Sequence, residues 1–523
     1  MIAQDNRNHT EKVLSAIRDS QSVGISPRQV AIKTGLQKSI VLSEMKLLSD
    51  RKAIISTGCR GGLYIVPDFN EQLTSKLKTS EWYTQKFKET YKLPLIERAI
   101  GIRFTENLQN GGKRVHRWSP YVQGFSNAFV EDILDRHKIV KGMKVGDVFL
   151  GSGTVSVCTK MRSIDSIGLD LNPLMVFVSK VKTNWDIDTY AVQAVADKIL
   201  DNAYNNQEKE SNLPFLTKTK MQFQPKILKG LASLKREIEQ TQIDENIKNL
   251  IRLCFASILI DCSKMWRAPG LGYTKGKRIP KEAPFDPFRL KLSYMLEDLR
   301  YVQSFRERWG NAEVFQADSR KYPIEPESLS IVITSPPYVN GIDYVLNYKI
   351  ELAWLGLAKS YRDLQAMRSS MIVCDNTSRE DIRDFATKLG DAHVDDWIDE
   401  IVDELGATLK LKGICRRTDM HLVVKRYFVD LYAVMRQVYI GLKPKGKFVF
   451  VEGDSLISGS YVPADLILAR LGKAIGFNID SIEIARKRRS GQKRDFVLRE
   501  SIVTLSKGKN KEPNNIPSLD LFL

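Results

Sequence analysis

Along the chain, short apolar runs bounded by glycine or proline alternate with longer stretches at helical spacing, the pattern of an α/β protein. Residues 144–150, Lys-Val-Gly-Asp-Val-Phe-Leu, run into Gly151-Ser152-Gly153-Thr154 and a helix-compatible stretch over 155–161, which predicts strand, tight turn and helix. A second strand is predicted over 166–169 and ends in Asp170, after which Asn172-Pro173 opens another helix. Leu329-Ser330-Ile331-Val332-Ile333 reads as a buried strand. Over 426–442, Phe428, Leu431, Val434, Met435, Val438 and Leu442 keep helical spacing until Lys443-Pro444-Lys445-Gly446 breaks it before a strand over 447–452. A helix over Ala464–Ile475 and strands over 478–485 and 497–505 follow.

Ahead of this core the pattern predicts a separate module. A helix over 10–20, a second at Pro27–Thr34 capped by Ser26, a turn at Gly35 and a third helix at Lys38–Asp50 precede two short strands, 53–56 and 63–66. Helices plus a hairpin resemble a winged helix, with Lys38, Ser39 and Ser43 facing a groove and Arg60 on the wing; the same fold also serves docking or dimerisation. The predicted organisation is a winged-helix-like module over 1–68, a polar connector over 69–112, and a core over 113–184 and 310–508. A helical insertion occupies 185–309, a second one 345–420, and a tail 509–523. The first insertion has helical spacing through Ile227, Leu231, Leu234 and Ile238, and again through Ile247, Leu250, Ile251 and Cys254. The acidic helices of the second, such as 391–404, argue against phosphate contact and for bracing the core.

At 523 residues the chain exceeds one ordinary core, so two or three domains are expected. Lys plus Arg number 80 against 62 Asp plus Glu, and the net charge of +18 favours a polyanionic partner. No apolar run approaches the roughly 18 residues of a spanning helix, and the polar start lacks a signal core, so a cytoplasmic protein is expected. Cys59, Cys158, Cys254, Cys262, Cys374 and Cys415 lack metal-ligand or disulfide spacing; reduced thiols and no metal site are expected.

The candidate chemistry begins at Thr334-Ser335-Pro336-Pro337-Tyr338, directly after the buried strand. Two prolines fix φ and lack N–H groups, leaving carbonyls free of internal pairing. Such a corner suits an exocyclic base amine, a poor nucleophile whose N–H bonds need acceptors: Ser335 Oγ and the Pro336 carbonyl accept, and Tyr338 stacks on an extruded base. An isolated Ser-Pro-Pro-Tyr also reads as a proline turn closing a strand. Two cationic stretches are candidate nucleic-acid contacts: 266–278, with Arg267, Tyr273, Lys275, Lys277 and Arg278, and the run around Arg488 and Arg489. Each also reads as a solvated loop.

These pieces together resemble the amino-methylating DNA methyltransferases, which modify cytosine N4 or adenine N6 with S-adenosylmethionine. Asp147, Phe149, Gly151, Ser152, Gly153 and Thr154 look like the family's methionine-binding loop, and Asp170 like its ribose-binding acid. Asp318 occupies the place of the acid that contacts the cofactor's adenine. The segment His116 to Ser126, with Trp118, Phe125 and Ser126, is similar to the amino-terminal cofactor segment, and Thr334 to Tyr338 to the catalytic loop. The resemblance implies a doubly wound, mostly parallel Rossmann-like sheet ending in an antiparallel hairpin, S-adenosylmethionine as cofactor, and duplex DNA with a flipped base as substrate. It also implies a restriction or defence setting with a possible nuclease partner.

Serine before the two prolines leans, in that family, towards cytosine N4. Adenine N6 methylation, an RNA base methyltransferase and an inactive DNA-binding regulator stay open.

Overall fold

The computed structural model describes residues 2–19, 25–50, 54–56, 64–65, 78–98, 107–122, 124–209, 212–267, 270–373, 379–390, 392–412, 417–489 and 496–522. Eight strands make one sheet: β1 (Ile96–Glu97), β2 (Lys144–Asp147), β3 (Asp165–Asp170), β4 (Ala312–Gln316), β5 (Leu329–Thr334), β6 (Leu442–Gly453), β7 (Asn478–Arg489) and β8 (Val497–Ser506). In space they lie in the order β1-β7-β8-β6-β5-β2-β3-β4. The pairs β2–β3, β3–β4, β2–β5 and β5–β6 are parallel, and β8 runs antiparallel between β6 and β7. This is the expected doubly wound, Rossmann-like sheet with its terminal antiparallel hairpin. The chain winds outward from β2 to β4, returns to β5 and winds the other way, so the reversal falls between β2 and β5. At such a reversal the carboxyl ends of neighbouring strands leave a crevice.

Side-chain alternation explains the two helical layers. Ile331 and Ile333 of β5 join Val145, Val449 and the helix Asn127–Arg136 on one face. Val332, between them, joins Phe448, Phe450 and the long helix Met420–Gly441 on the other. Burial on both faces is why β5 is almost wholly apolar. The first insertion builds its own core from the helices Thr189–Asn205, Pro225–Gln240, Glu245–Ile258 and Phe285–Gln303.

Two segments differ from expectation. The polar connector contains the helix Ser80–Tyr91, whose Tyr83 and Phe87 are fully buried against the core, Tyr83 lying 5.0 Å from the ring of Trp397. Spacing of four residues puts both rings on one helix face, which outweighs the polarity of the rest. β1 then adds to the sheet edge beside β7. The tail also packs: Leu519 is buried, Phe522 lies 5.2 Å from Phe385, and the Ile516 N–H donates to the Tyr432 hydroxyl.

In the amino-terminal module the first helix, Ile2–Arg18, starts earlier than predicted, and Val13, Ile17, Val30, Val41, Met45 and Leu48 form a small core. Ser26 and Gln29 form a capping box, and Ile55–Ser56 pairs antiparallel with Tyr64–Ile65. Lys38, Ser39 and Ser43 are exposed. Cys59, Arg60, Cys374 and Cys415 lie outside the described residues. Among the described residues no helix is long and apolar enough to cross a membrane.

Candidate active site

The crevice at the reversal is a cleft whose wall includes both Gly151, from the loop after β2, and Ser335, from the loop after β5. Close neighbours fix the shape of the glycine loop. Gly151 has φ +52°, and a Cβ there would stand 2.9 Å from Tyr121 Oη; Gly153 has φ +76°, and a Cβ there would meet Ser179 Oγ at 2.8 Å. Only glycine satisfies both the left-handed backbone and the close approach. After the loop, helix α1 (Thr154–Met161) begins at Gly153, and helix α2 (Pro173–Thr183) is capped by Asn172, whose side chain accepts from Leu174 N–H.

Asp170, at the tip of β3, accepts from Gly151 N–H and Asn172 N–H, both at 2.8 Å, and so fastens the glycine loop to the next turn. Asp147, at the end of β2, accepts from the Thr334 hydroxyl at 2.7 Å and from Phe149 N–H at 3.2 Å. Burial pushes the Asp147 carboxyl up to about 7 against those two donors. It pushes Asp170 up to about 6, against the N–H groups of Asn172 and Gly151. Burial also works to raise Asp318, but the Arg320 guanidinium, bonded to both its oxygens, outweighs it and holds the carboxyl below its usual value.

At the proline corner, Ser335 is half-buried and its hydroxyl donates to the Val451 carbonyl at 3.3 Å. With its only hydrogen so directed, Oγ turns lone pairs to other partners and acts as an acceptor. Among the described residues no hydrogen bond reaches the Pro336 carbonyl. Pro337 lines the cleft beside Ser335. Tyr338 is not on the cleft wall: it packs over Gly453, where a Cβ would come within 2.7 Å of the ring, and its hydroxyl donates to Glu500 at 3.1 Å. Arg486 holds Glu500 through both its oxygens. Asp343 caps the helix Tyr344–Asn347 and pairs with Arg368 at 2.6 Å.

Of the residues assigned to the cofactor from sequence, Phe125, Phe149, Gly151, Ser152, Thr154, Asp170 and Asp318 line the cleft. Asp147 and Gly153 stand behind its wall, as support for the loop. Trp118 is fully buried away from it, with its indole N–H on Asp298, and Ser126 is a buried helix cap bonded to Phe129 N–H. Both belong to packing: Trp118 sits in the insertion's core before the segment reaches the cleft at Tyr121 and Phe125, and Ser126 follows that stretch as the cap of the helix Asn127–Arg136. Sequence reasoning missed Tyr121, Asn172, Met175, Met371 and Ile372 on the same wall. Tyr121 and Asn172 adjoin residues already singled out, whereas Met371 and Ile372 come from the second insertion and carry no local signal.

The donor expected from the resemblance fits this cleft. Leu171, Met175 and Ile372 give it apolar walls, Asp170 supplies a carboxylate, and the buried Asn172 Nδ2 has no acceptor among the described residues. Asp170 and Asn172 would hold the ribose and Asp318 the adenine of S-adenosylmethionine, with the glycine loop beneath its methionine end.

The cationic candidates divide. Arg267 is turned inward, paired with Glu351 at 2.8 Å, bonded to the Asn347 carbonyl and stacked on Tyr348, so its charge is spent inside the protein and it drops from the set of DNA contacts. Lys277 is bound to the Ile260 and Met265 carbonyls and staples the hairpin of Met265–Arg267 and Leu271–Tyr273. Tyr273, Lys275 and Arg278 are exposed. Arg488 donates to the Asp454 carbonyl, Arg489 is exposed at the end of β7, and residues 490–495 lie outside the described residues.

No family model matches the chain. Among curated proteins it is 25% identical over 449 residues to the Type II methyltransferase M.BsoBI of Geobacillus stearothermophilus, covering 76% of this chain and 86% of that one. It is 21% identical over 420 residues to the Type II methyltransferase M.AvaI of a Nostoc strain, with the same two shares covered. To the Type II methyltransferase M.MvaI of Kocuria varians it is 20% identical over 385 residues, covering 70% of this chain and 82% of that one.

Proposed function

We infer that this chain, a member of the amino-methylating S-adenosylmethionine-dependent methyltransferase family, methylates an exocyclic amine of a DNA base, with cytosine N4 the favoured target. The observation that carries the reading is that Gly151 and Ser335 line one cleft, so a donor on the glycine loop and a base at the proline corner meet within it. Bound there, S-adenosylmethionine supplies a sulfonium methyl group for direct transfer to nitrogen.

The protein's own contribution is positioning and oriented acceptors. Ser335 Oγ, its hydrogen committed to Val451, and the Pro336 carbonyl accept the two amino hydrogens and aim the nitrogen lone pair at the methyl carbon. Tyr338, held by Glu500 and packed over Gly453 off the cleft wall, has its base-stacking role from the family resemblance alone. No thiolate is required. The buried Cys158, Cys254 and Cys262 have their thiols pushed up by burial, far from nucleophilic form.

Serine before the prolines supports cytosine N4 through the family resemblance, with adenine N6 the alternative. The exposed Tyr273, Lys275, Arg278 and Arg489 supply candidate DNA contacts, and the amino-terminal module, read as a winged helix, a further one. The Type II relatives support a place in restriction-modification, and the family resemblance implies a possible nuclease partner. The test is mass spectrometry of nucleosides from DNA of a methylation-free host expressing the protein. N4-methylcytosine is expected; N6-methyladenine moves the target, and unmodified DNA from a host making folded protein removes the function.

A further inference from the structure

Lys182, in the last turn of α2, is 1% exposed, yet among the described residues no carboxylate pairs with it. Its one hydrogen bond runs to the Ser152 carbonyl at 3.2 Å, directly behind the glycine loop. The nearby charges do not help. His116 faces it, Lys291 of helix α3 (Phe285–Gln303) repels it, and the buried Asp298 of that helix is taken by Arg117 and by the N–H groups of Val115 and Trp118. A buried ammonium without a counter-charge is costly, and burial, with Lys291 adding to it, pushes this one down to about 7.

The loop above Lys182 is arranged as the other half of an anion site. The Gly151 carbonyl accepts from Ser179 Oγ at 3.0 Å, and the Ser152 carbonyl from Lys182, so α2 draws both carbonyls away from the cleft. In a planar trans peptide the N–H opposes the carbonyl before it, which turns the Ser152 N–H the other way. Gly153 N–H is bonded to the Leu150 carbonyl, whereas no protein acceptor among the described residues takes Ser152 N–H, although Ser152 lines the cleft. α1 begins two residues later and adds the positive end of its dipole. The rest of the cleft is unsuited to an anion: Asp170 and Asp318 carry the same negative sign, and Arg368 is paired with Asp343.

We propose that Lys182 is a positioning residue for the methyl donor, supplying from behind the glycine loop the counter-charge for the carboxylate at the donor's methionine end. The inference rests on the methyltransferase reading of the cleft. The donor's single carboxylate faces Ser152 N–H and the start of α1, the Lys182 charge acts across Ser152 from the loop's other side, and the ammonium gains the counter-charge it lacks in the free protein. The acids at the far end of the cleft repel the same carboxylate, so the molecule enters in one orientation.

The test is calorimetric titration of the full chain and its Lys182→Met variant with two probes, S-adenosylhomocysteine and 5′-methylthioadenosine, which lacks the carboxylate. Methionine fills the buried site with an apolar chain of similar length, and thermal melting checks that it folds. Loss of a charge-assisted contact predicts that the variant binds S-adenosylhomocysteine about ten- to a hundred-fold more weakly, with 5′-methylthioadenosine binding unchanged. Equal weakening of both probes would reduce Lys182 to a prop for the loop and overturn the proposal, as would unchanged binding of both. If the unaltered protein binds neither probe, the methyltransferase reading of the cleft fails and the inference goes with it.

Discussion

The Thr334 hydroxyl donates to the Asp147 carboxylate at 2.7 Å while accepting from Phe149 N–H at 3.1 Å, joining loops 187 residues apart in the chain. Asp147 ends β2 and Thr334 ends β5, the two strands at which the sheet's winding reverses. One buried hydroxyl therefore sets the spacing between the glycine loop and the proline corner, and any donor and base bound there inherit it.

Thr334→Val keeps the shape of the side chain and removes the bridge, leaving Asp147 and Phe149 N–H buried without it. A loss of roughly 1.5–3 kcal/mol in stability is expected, the usual cost of a hydrogen bond to a charged group. Methyl transfer should fall more than donor binding, since Ser335 is the next residue. Urea unfolding and single-turnover transfer measure the two effects, and full activity in the variant would detach the bridge from function.

At the corner itself, Ser335→Ala removes an acceptor and Tyr338→Ala an aromatic face, while neither touches the donor's contacts on the glycine loop. Turnover should fall by about 10²-fold or more in each case, the usual order for a lost positioning or acceptor group, with donor affinity kept. Phe in place of Tyr338 keeps the ring and loses only the bond to Glu500, so it should retain more activity than the alanine variant. Alanine and phenylalanine variants of equal activity would remove the stacking role.

Asp147 also predicts a pH dependence. Its carboxyl is raised by burial from 3.8 to about 7, so between those values the folded chain keeps a proton that the unfolded chain releases. Stability from this group is therefore present at low pH and declines as pH rises from near 4 towards 7. Asp147→Asn retains an acceptor for Thr334 and Phe149 and cannot ionise. Between about pH 5 and 7.5 the unaltered protein should lose roughly 1–3 kcal/mol more stability, from urea midpoints, than the variant, in which Asp170, raised to about 6, still contributes a smaller decline. The same decline in both would place its source elsewhere.

The inward turn of Arg267 separates two kinds of cation on one hairpin. Breaking its pair with Glu351 should cost about 3–5 kcal/mol of stability, because a buried carboxylate is left alone. Lys275→Gln and Arg278→Gln should leave stability unchanged and each lower the salt dependence of DNA binding by about one charge. Fluorescence anisotropy across a salt series gives the slopes, and slopes unaffected by either exposed residue would take this hairpin out of the DNA interface.

Local patterning made much of this protein readable in one dimension. Strand, glycine turn and helix at 144–161, the acid at Asp170 and the proline corner at 334–338 are each defined by neighbours within a few residues, because turn sterics and side-chain alternation act over that range. Charge and length likewise pointed to a polyanion and to several domains. What only the tertiary structure decided are contacts across the chain: Thr334 on Asp147, Met371 and Ile372 on the cleft wall, Trp118 withdrawn to Asp298, Arg267 consumed by Glu351, and Lys182 buried behind Ser152. A cation in a sequence looks the same whether it ends in solvent or against a carboxylate, and the difference is made by which element packs over it. Desolvation and pairing are properties of that packing, and they assigned the roles that residue type left open.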